Sequence, residues 1–393
     1  MNPEIGHSKE THGQDRRLLY YCPASLGGIA DYAHEQAKAL AATGLKVTML
    51  CPVDYPHSPD GYDQEKALES QTSNSSNRWI SRFTLVRRIL KDARTLDRMM
   101  VSKGYTRVLF ANYSEYLAPL WAWRFQRRAR QGVVFSAVVH DPVRDYVVGP
   151  LWWHRRSIAA GYSFLRDAFV HAPTELDTGQ PMPTLKVTVI PHGPFSFPQP
   201  SLSREQFRAK YEIPESAAVF LSFGHIRDGK NLNLILDALK EVQDVWLLIA
   251  GSEATPGQRQ SADYIQQAAK LDVAKRCRWM VRFLSPDDVS NCFNGCDVVA
   301  LTYSSSFRSA SGVLNVAAWF RKPVIASCGQ SNLGSMVENY GLGERMLPDD
   351  PESIAQAMQA YMQKGFHPRW DDYVKEHSWE RNAQLVIDTF NHE

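Results

Sequence analysis

Two fixed cations lie in the glycine-flanked segment Phe223-Gly224-His225-Ile226-Arg227-Asp228-Gly229-Lys230-Asn231. Arginine offers a planar fork of donors and lysine a point charge, so Arg227 and Lys230 at this spacing suit a diphosphate. The competing reading is a solvated loop with ordinary surface charges. Further along, Tyr303-Ser304-Ser305-Ser306-Phe307-Arg308-Ser309-Ala310-Ser311-Gly312-Val313-Leu314 leads small hydroxyl residues into an apolar run, and Lys322-Pro323-Val324-Ile325-Ala326-Ser327 follows. A helix starting near Gly312 presents unpaired N–H groups and the positive end of its dipole to a phosphate. A plain capped helix after a loop fits the same residues. Near the N-terminus, Leu26-Gly27-Gly28-Ile29-Ala30-Asp31-Tyr32 lets the backbone come close to a ligand just ahead of another helix. Glycines in such a turn also serve packing alone. The segment is not G-x-G-x-x-G, which disfavours a nicotinamide enzyme.

These segments need strands before them and helices after them. The apolar run 18–22 reads as a buried strand. Ile29, Tyr32, Ala33, Ala37 and Leu40 then recur at helical spacing, Gly44 suits the helix stop, and 46–51 is the next strand. This strand–helix–strand unit begins a doubly wound parallel sheet. Residues 54–77 are polar and read as a long loop. Strands follow at 107–111, 133–139, 168–171 and 187–190, and the proline-rich segment 193–200 reads as a hinge. The pattern restarts with strands at 218–223, 245–250, 278–283, 298–301 and 324–326, and the chain ends in helices at 351–363 and from about Ser378. The expected fold is α/β: two Rossmann-like doubly wound parallel-sheet domains facing a cleft. The expected boundaries are a disordered lead-in over 1–17, domains over 18–195 and 196–375, and a terminal helix over 376–393 that returns to the first domain.

Composition excludes several classes. The charged fraction is 22% and the formal net charge only +2, so overall charge names no partner. Six cysteines form no C-x-x-C pair, and no histidine cluster has zinc spacing, so buried apolar thiols are expected rather than a metal site. The first seventeen residues lack the apolar core of a signal peptide, and no window is apolar enough to span a membrane. A reducing cytoplasm is the expected setting.

Taken together, the segments resemble the GT-B glycosyltransferases, specifically the family 4 group of retaining enzymes, from about Leu18 to the C-terminus. The Gly27-Gly28-Ile29 turn with Asp31 and Tyr32 is similar to that family's acceptor-side loop. The 224–230 segment resembles its donor-phosphate loop. Ser311-Gly312-Val313-Leu314, with Gly312 eleven residues before Pro323, resembles its nucleotide-sugar loop and helix. Val189-Ile190-Pro191-His192-Gly193 and the last helix have family counterparts, and His140-Asp141 aligns with a cleft histidine near the transferred sugar. A lone histidine at a strand end is also often simply packed, and His192 is a weaker candidate. The sequence departs from the family in three places. Its two glutamates, with seven residues between them, are replaced by Arg308 and Val316, and the valine side chain cannot hydrogen-bond a ribose hydroxyl. His225 stands where the family has arginine.

The resemblance implies sugar transfer from a nucleotide-diphosphate donor to a glycan or lipid-linked acceptor, with retention, without a required metal or further cofactor. It places Gly224, His225, Arg227, Lys230, Ser309, Ser311, Gly312, Val313 and Leu314 around the donor, and Gly27, Gly28, Asp31 and Tyr32 on the acceptor side. His140, Lys230 and Arg227 are the catalytic candidates. Two alternatives remain: a non-catalytic subunit of the same fold, and a nucleotide-sugar epimerase. Between Asn77 and Arg166, seventeen Lys and Arg face five Asp and Glu, with tryptophans interleaved. That suits peripheral contact with an anionic membrane surface or a lipid-diphosphate acceptor; a solvated arginine-rich face fits equally. No motif supports nucleic-acid recognition.

Overall fold

Apolar runs bounded by glycine, proline or charge form the strands of two parallel sheets. A computed structural model describes residues 16–70, 78–142, 147, 149–253 and 257–391. The chain forms two units, Met1–Ile190 with Asn382–Glu393 and Pro191–Arg381.

The first unit runs β1 (Arg17–Tyr21), α1 (Gly28–Ala42), β2 (Lys46–Pro52), β3 (Asp63–Leu68), α2 (Arg78–Lys103), β4 (Arg107–Phe110), α3 (Ala122–Arg130), β5 (Val134–Val138), α4 (Leu151–Tyr162), β6 (Asp167–Val170) and β7 (Lys186–Val189). Its seven strands lie in the order β3-β2-β1-β4-β5-β6-β7, all parallel. The second unit runs α5 (Arg204–Lys210), β8 (Ala218–Phe223), α6 (Leu232–Glu241), β9 (Val245–Gly251), α7 (Ser261–Lys270), β10 (Cys277–Val281), α8 (Pro286–Gly295), β11 (Val298–Thr302), α9 (Gly312–Trp319), β12 (Val324–Ser327), α10 (Leu333–Asn339), β13 (Gly343–Arg345), α11 (Pro351–Lys364) and α12 (Trp370–Glu376). Its sheet, also parallel, has the order β10-β9-β8-β11-β12-β13. The strand order reverses at β1/β4 in one sheet and at β8/β11 in the other. In open parallel sheets, such switch points open crevices at the carboxyl ends of the strands.

The structure differs from the sequence expectation at two edges. Within 54–77, read as loop, Asp63–Leu68 is a strand paired with β2. The three-residue β13 was not expected either. An edge strand has one neighbour, so Asp-Gln-Glu-Lys-Ala-Leu stays largely solvated and shows no apolar run. At the start, Arg17 already opens β1; residues 1–15 of the expected lead-in lie outside the described residues. The division between units falls at Ile190/Pro191, ahead of the proline-rich 193–200.

The final helix, α13 (Trp379–Asn391), begins in the second unit and continues in the first. There Asn382 is fully buried. Its amide donates to the Tyr32 hydroxyl at 3.1 Å and its oxygen accepts from Gln36 at 2.8 Å, while Tyr20 donates to Gln36 at 2.7 Å. A buried polar network of this kind is stabilising only when every member is satisfied. Asn382→Ala removes one of the two acceptors of the Gln36 amide and a donor to Tyr32. It is expected to lower the stability of the first unit by about 2–4 kcal/mol, measured by urea unfolding.

Candidate functional site

The carboxyl end of β8 turns sharply at Gly224, whose φ of 92° is open to glycine at little cost. A Cβ placed there would lie 2.8 Å from Lys230 Nζ and 3.9 Å from Val313 Cγ2. The lysine and the first turn of α9 therefore meet at this turn. Beside it, a Cβ on Gly251 would fall 2.1 Å from the Gly224 carbonyl oxygen. β8 and β9 thus end in close backbone contact, sealed by Gly224 N–H to Ala250 O at 2.9 Å and Ile226 N–H to Ser252 O at 2.9 Å. Residues Asp228–Lys230 form one 3-10 turn before α6. Thr302, at the end of β11, donates to Lys230 O at 2.6 Å, and Ser304 N–H donates to Gly229 O at 3.1 Å. Asp349 accepts from the Asn231 amide at 2.8 Å and from Ser305 N–H at 2.9 Å, tying the two loops together.

Lys230 Nζ donates to Phe223 O. Burial, helped by the Arg227 charge, pulls its ammonium down to about 7. Arg227 is exposed. Its charge also reaches Tyr303, whose phenol is raised by burial and drawn back by Ser311 and Arg227. Tyr303 is stacked on Phe307 at 4.0 Å and shares a 2.9 Å hydrogen bond with Ser311 Oγ. Ser311 caps α9 by accepting Leu314 N–H at 3.3 Å. The N–H groups of Gly312 and Val313 belong to the set that a helix leaves without intrahelical acceptors. One small region thus holds a guanidinium, an amine poised between charge states, and the positive end of a helix. Such a set has the chemistry to hold a diphosphate and to stabilise charge developing on it.

The remaining candidates fall around this set or away from it. Gly312 is exposed and Val313 and Ser309 are half-buried, while Leu314 is buried and its N–H is taken by the cap. His225 is exposed beside the turn, with Nδ1 3.0 Å from Ser252 Oγ. Arg308 is exposed, and Val316 is a core residue at 5% exposure. Among the described residues, no three His, Cys, Asp or Glu side chains gather as a metal site.

In the first unit, Gly27 (φ 80°) precedes α1, and space is open around a Cβ at either Gly27 or Gly28. Asp31 is paired with His57 at 2.7 Å, and His57 stacks on His34 at 4.5 Å. Tyr32 lies fully buried, its hydroxyl bound to Asn382 and Gln36, so it anchors α13 rather than fronting an acceptor. His140 stands edge-on to Tyr32 at 4.8 Å, with Nε2 3.1 Å from Ala111 O. A nitrogen facing a carbonyl carries the proton, so Nδ1 is the acceptor of the neutral ring. Burial lowers the pKa of this ring, against the pull of Asp141 and the Ala111 carbonyl.

Sequence reasoning missed Gly251, Thr302 and Asp349. A glycine closing a strand beside the predicted loop was a usable signal for the first. The other two act through loops whose meeting no local pattern announces.

Two sequence-family models match the chain: "Glycosyl transferase 4-like domain" over residues 27–191 and "Glycosyl transferases group 1" over 203–384. A GDP-mannose:glycolipid 4-beta-D-mannosyltransferase of Xanthomonas campestris pv. campestris is 30% identical over 173 residues, 43% of this chain and 47% of that protein. The chain thus spans about half the length of the curated relatives it matches. Among solved structures, sucrose-phosphate synthase from Thermosynechococcus elongatus superposes with a TM-score of 0.68 at 17% identity, covering 95% of this chain and 98% of that one. Anabaena HepE in complex with UDP and glucose gives 0.66 at 14%, covering 96% and 100%. With both units matched by family and by fold, the chain belongs to the glycosyl transferases group 1 family, as a family-4-like member with the two-domain Rossmann-like GT-B fold.

Proposed function

We propose that this protein transfers a sugar from a nucleoside diphosphate to a glycan or lipid-linked acceptor in glycoconjugate biosynthesis. The supporting observation is the meeting of Lys230, the Gly224 turn and the start of α9 at the switch point of the second sheet. As the bond from the anomeric carbon to the diphosphate breaks, negative charge grows on the leaving phosphate. Arg227, protonated Lys230 and the N–H groups of Gly312 and Val313 are arranged to receive it without reorganising. With Val316 in the core, ribose recognition falls to the backbone or to other side chains. His140, with Nδ1 able to accept a hydrogen bond, is proposed as a sugar-side group, and Gly27 and Gly28 as the acceptor-side turn. Retention of configuration is carried over from the family resemblance. No metal or further cofactor enters this scheme.

We further propose peripheral contact with an anionic membrane through the first unit. Phe83 on α2, Trp123 on α3 and Trp152 on α4 are exposed by 72%, 52% and 65% among arginines and lysines. Arg124 lies 4.5 Å from the Trp123 ring. Among the described residues, no helix is long and apolar enough to cross a membrane.

Lys230→Met is expected to lower transfer from GDP-mannose or UDP-glucose by about 10²–10³-fold without destabilising the fold. The sign follows from proton counting. An unfolded chain holds this proton up to about pH 10.4, whereas the folded chain releases it at about 7. The lysine's penalty to stability is therefore largest below about pH 7 and fades as pH rises towards the unfolded value. Thermal melting should show the variant gaining most over wild type at about pH 6 and least at about pH 9. The anomeric configuration of the product, read in the same assay, should equal that of the donor if transfer is retaining.

Flotation with phosphatidylglycerol vesicles should show binding at low salt that weakens at high salt. A Phe83→Ser, Trp123→Ser, Trp152→Ser triple variant should lose it. Wild-type flotation by that variant would remove these side chains from the membrane face.

A further inference from the structure

Tyr20 and Tyr21 are consecutive on β1 and so point to opposite faces of the first sheet. Tyr20 donates to Gln36 of α1, whereas Tyr21 joins the core under α2. On that second face, at the carboxyl ends of β1 and β4, lies a cavity of about 160 Å³. This is the switch point of the sheet, where parallel sheets bind ligands. Aromatic residues Tyr21, Phe110, Trp121 and Phe125 line it, and α2 contributes Arg88 and Asp92.

Two of these residues are unlike ordinary core. Trp121 is only 3% exposed, yet its indole N–H has no hydrogen-bond acceptor among the described residues. Asp92 is 5% exposed beside aromatic rings. Burial drives its carboxyl up to about 6, against the Glu69 backbone N–H and the Arg88 charge. An alkyl chain in this cavity would leave the Trp121 indole N–H without an acceptor and the Asp92 carboxyl with little beyond the Glu69 backbone N–H, and buried polar groups short of partners are costly. A pyranose suits both. Its C–H face lies against aromatic rings, while its hydroxyls donate to a carboxylate and accept from an indole N–H. The cavity has the volume of roughly five waters, the scale of one sugar ring.

We propose that this cavity binds one pyranose unit of the acceptor saccharide, with Asp92 and the Trp121 indole N–H as its hydrogen-bonding partners. The proposal rests on the transferase reading above. It adds a subsite on the face of the sheet opposite α1, the helix that begins at Gly28.

Saturation-transfer NMR on the full chain tests it, with methyl α-D-mannopyranoside and methyl β-D-glucopyranoside as probes and octan-1-ol as the apolar control. At least one glycoside should bind, and Asp92→Asn and Trp121→Phe should each weaken it about tenfold, the effect of one lost hydrogen bond to a buried group. Calorimetric binding of UDP or GDP should be the same in both variants as in wild type. Absence of glycoside binding, glycoside binding that both variants retain, or binding of octan-1-ol alone overturns the subsite. Glycoside binding that behaves as expected, in a chain that binds neither nucleotide, leaves the subsite standing and sinks the transferase reading instead.

Discussion

A Cβ on Gly251 would fall 2.1 Å from the carbonyl oxygen of Gly224, so β8 and β9 can end side by side only because residue 251 has none. That contact fixes where the Gly224 turn sits. The turn in turn leaves room for Lys230 Nζ on one side and for the first residues of α9 on the other. Thr302, Ser304 and Asp349 then hold the adjoining loops by backbone and side-chain hydrogen bonds. The candidate donor site is a consequence of strand ends meeting at a switch point, with small residues where backbone must approach backbone.

Burying an amine beside a guanidinium is unfavourable in the free protein, and Lys230 shows it by releasing its proton near neutral pH. On the proposed function, a diphosphate between them would reverse that balance, because its negative charge favours the ammonium. The first unit contains a contrasting case. The polar network of Tyr20, Tyr32, Gln36 and Asn382 is already satisfied internally, and it holds α13 against α1 rather than waiting for a ligand.

Much of this was legible in the sequence because buried parallel strands carry continuous apolar runs and phosphate-binding turns need glycine beside fixed charge. Arg227, Lys230 and the Ser311-Gly312 helix start were visible as separate local patterns. The spacing of Tyr32 on α1 marks both a core position and the family's acceptor loop, and its packing role became visible only through Asn382, far along the chain. Asp349 left no signal, since its role is to join two loops that sequence order keeps apart. The edge strand Asp63–Leu68 stayed hidden because solvation on its free side removes the apolar pattern that marks central strands.

Proton uptake on nucleotide binding tests the central claim most directly. UDP and GDP are titrated calorimetrically into the protein at about pH 8, in buffers of different ionisation heat, which counts protons exchanged. At least one nucleotide should bind with uptake on the order of one proton, and Lys230→Met should bind more weakly with none. Nucleotide binding without proton uptake, or equal uptake by the variant, would contradict a diphosphate held by Lys230 at the start of α9.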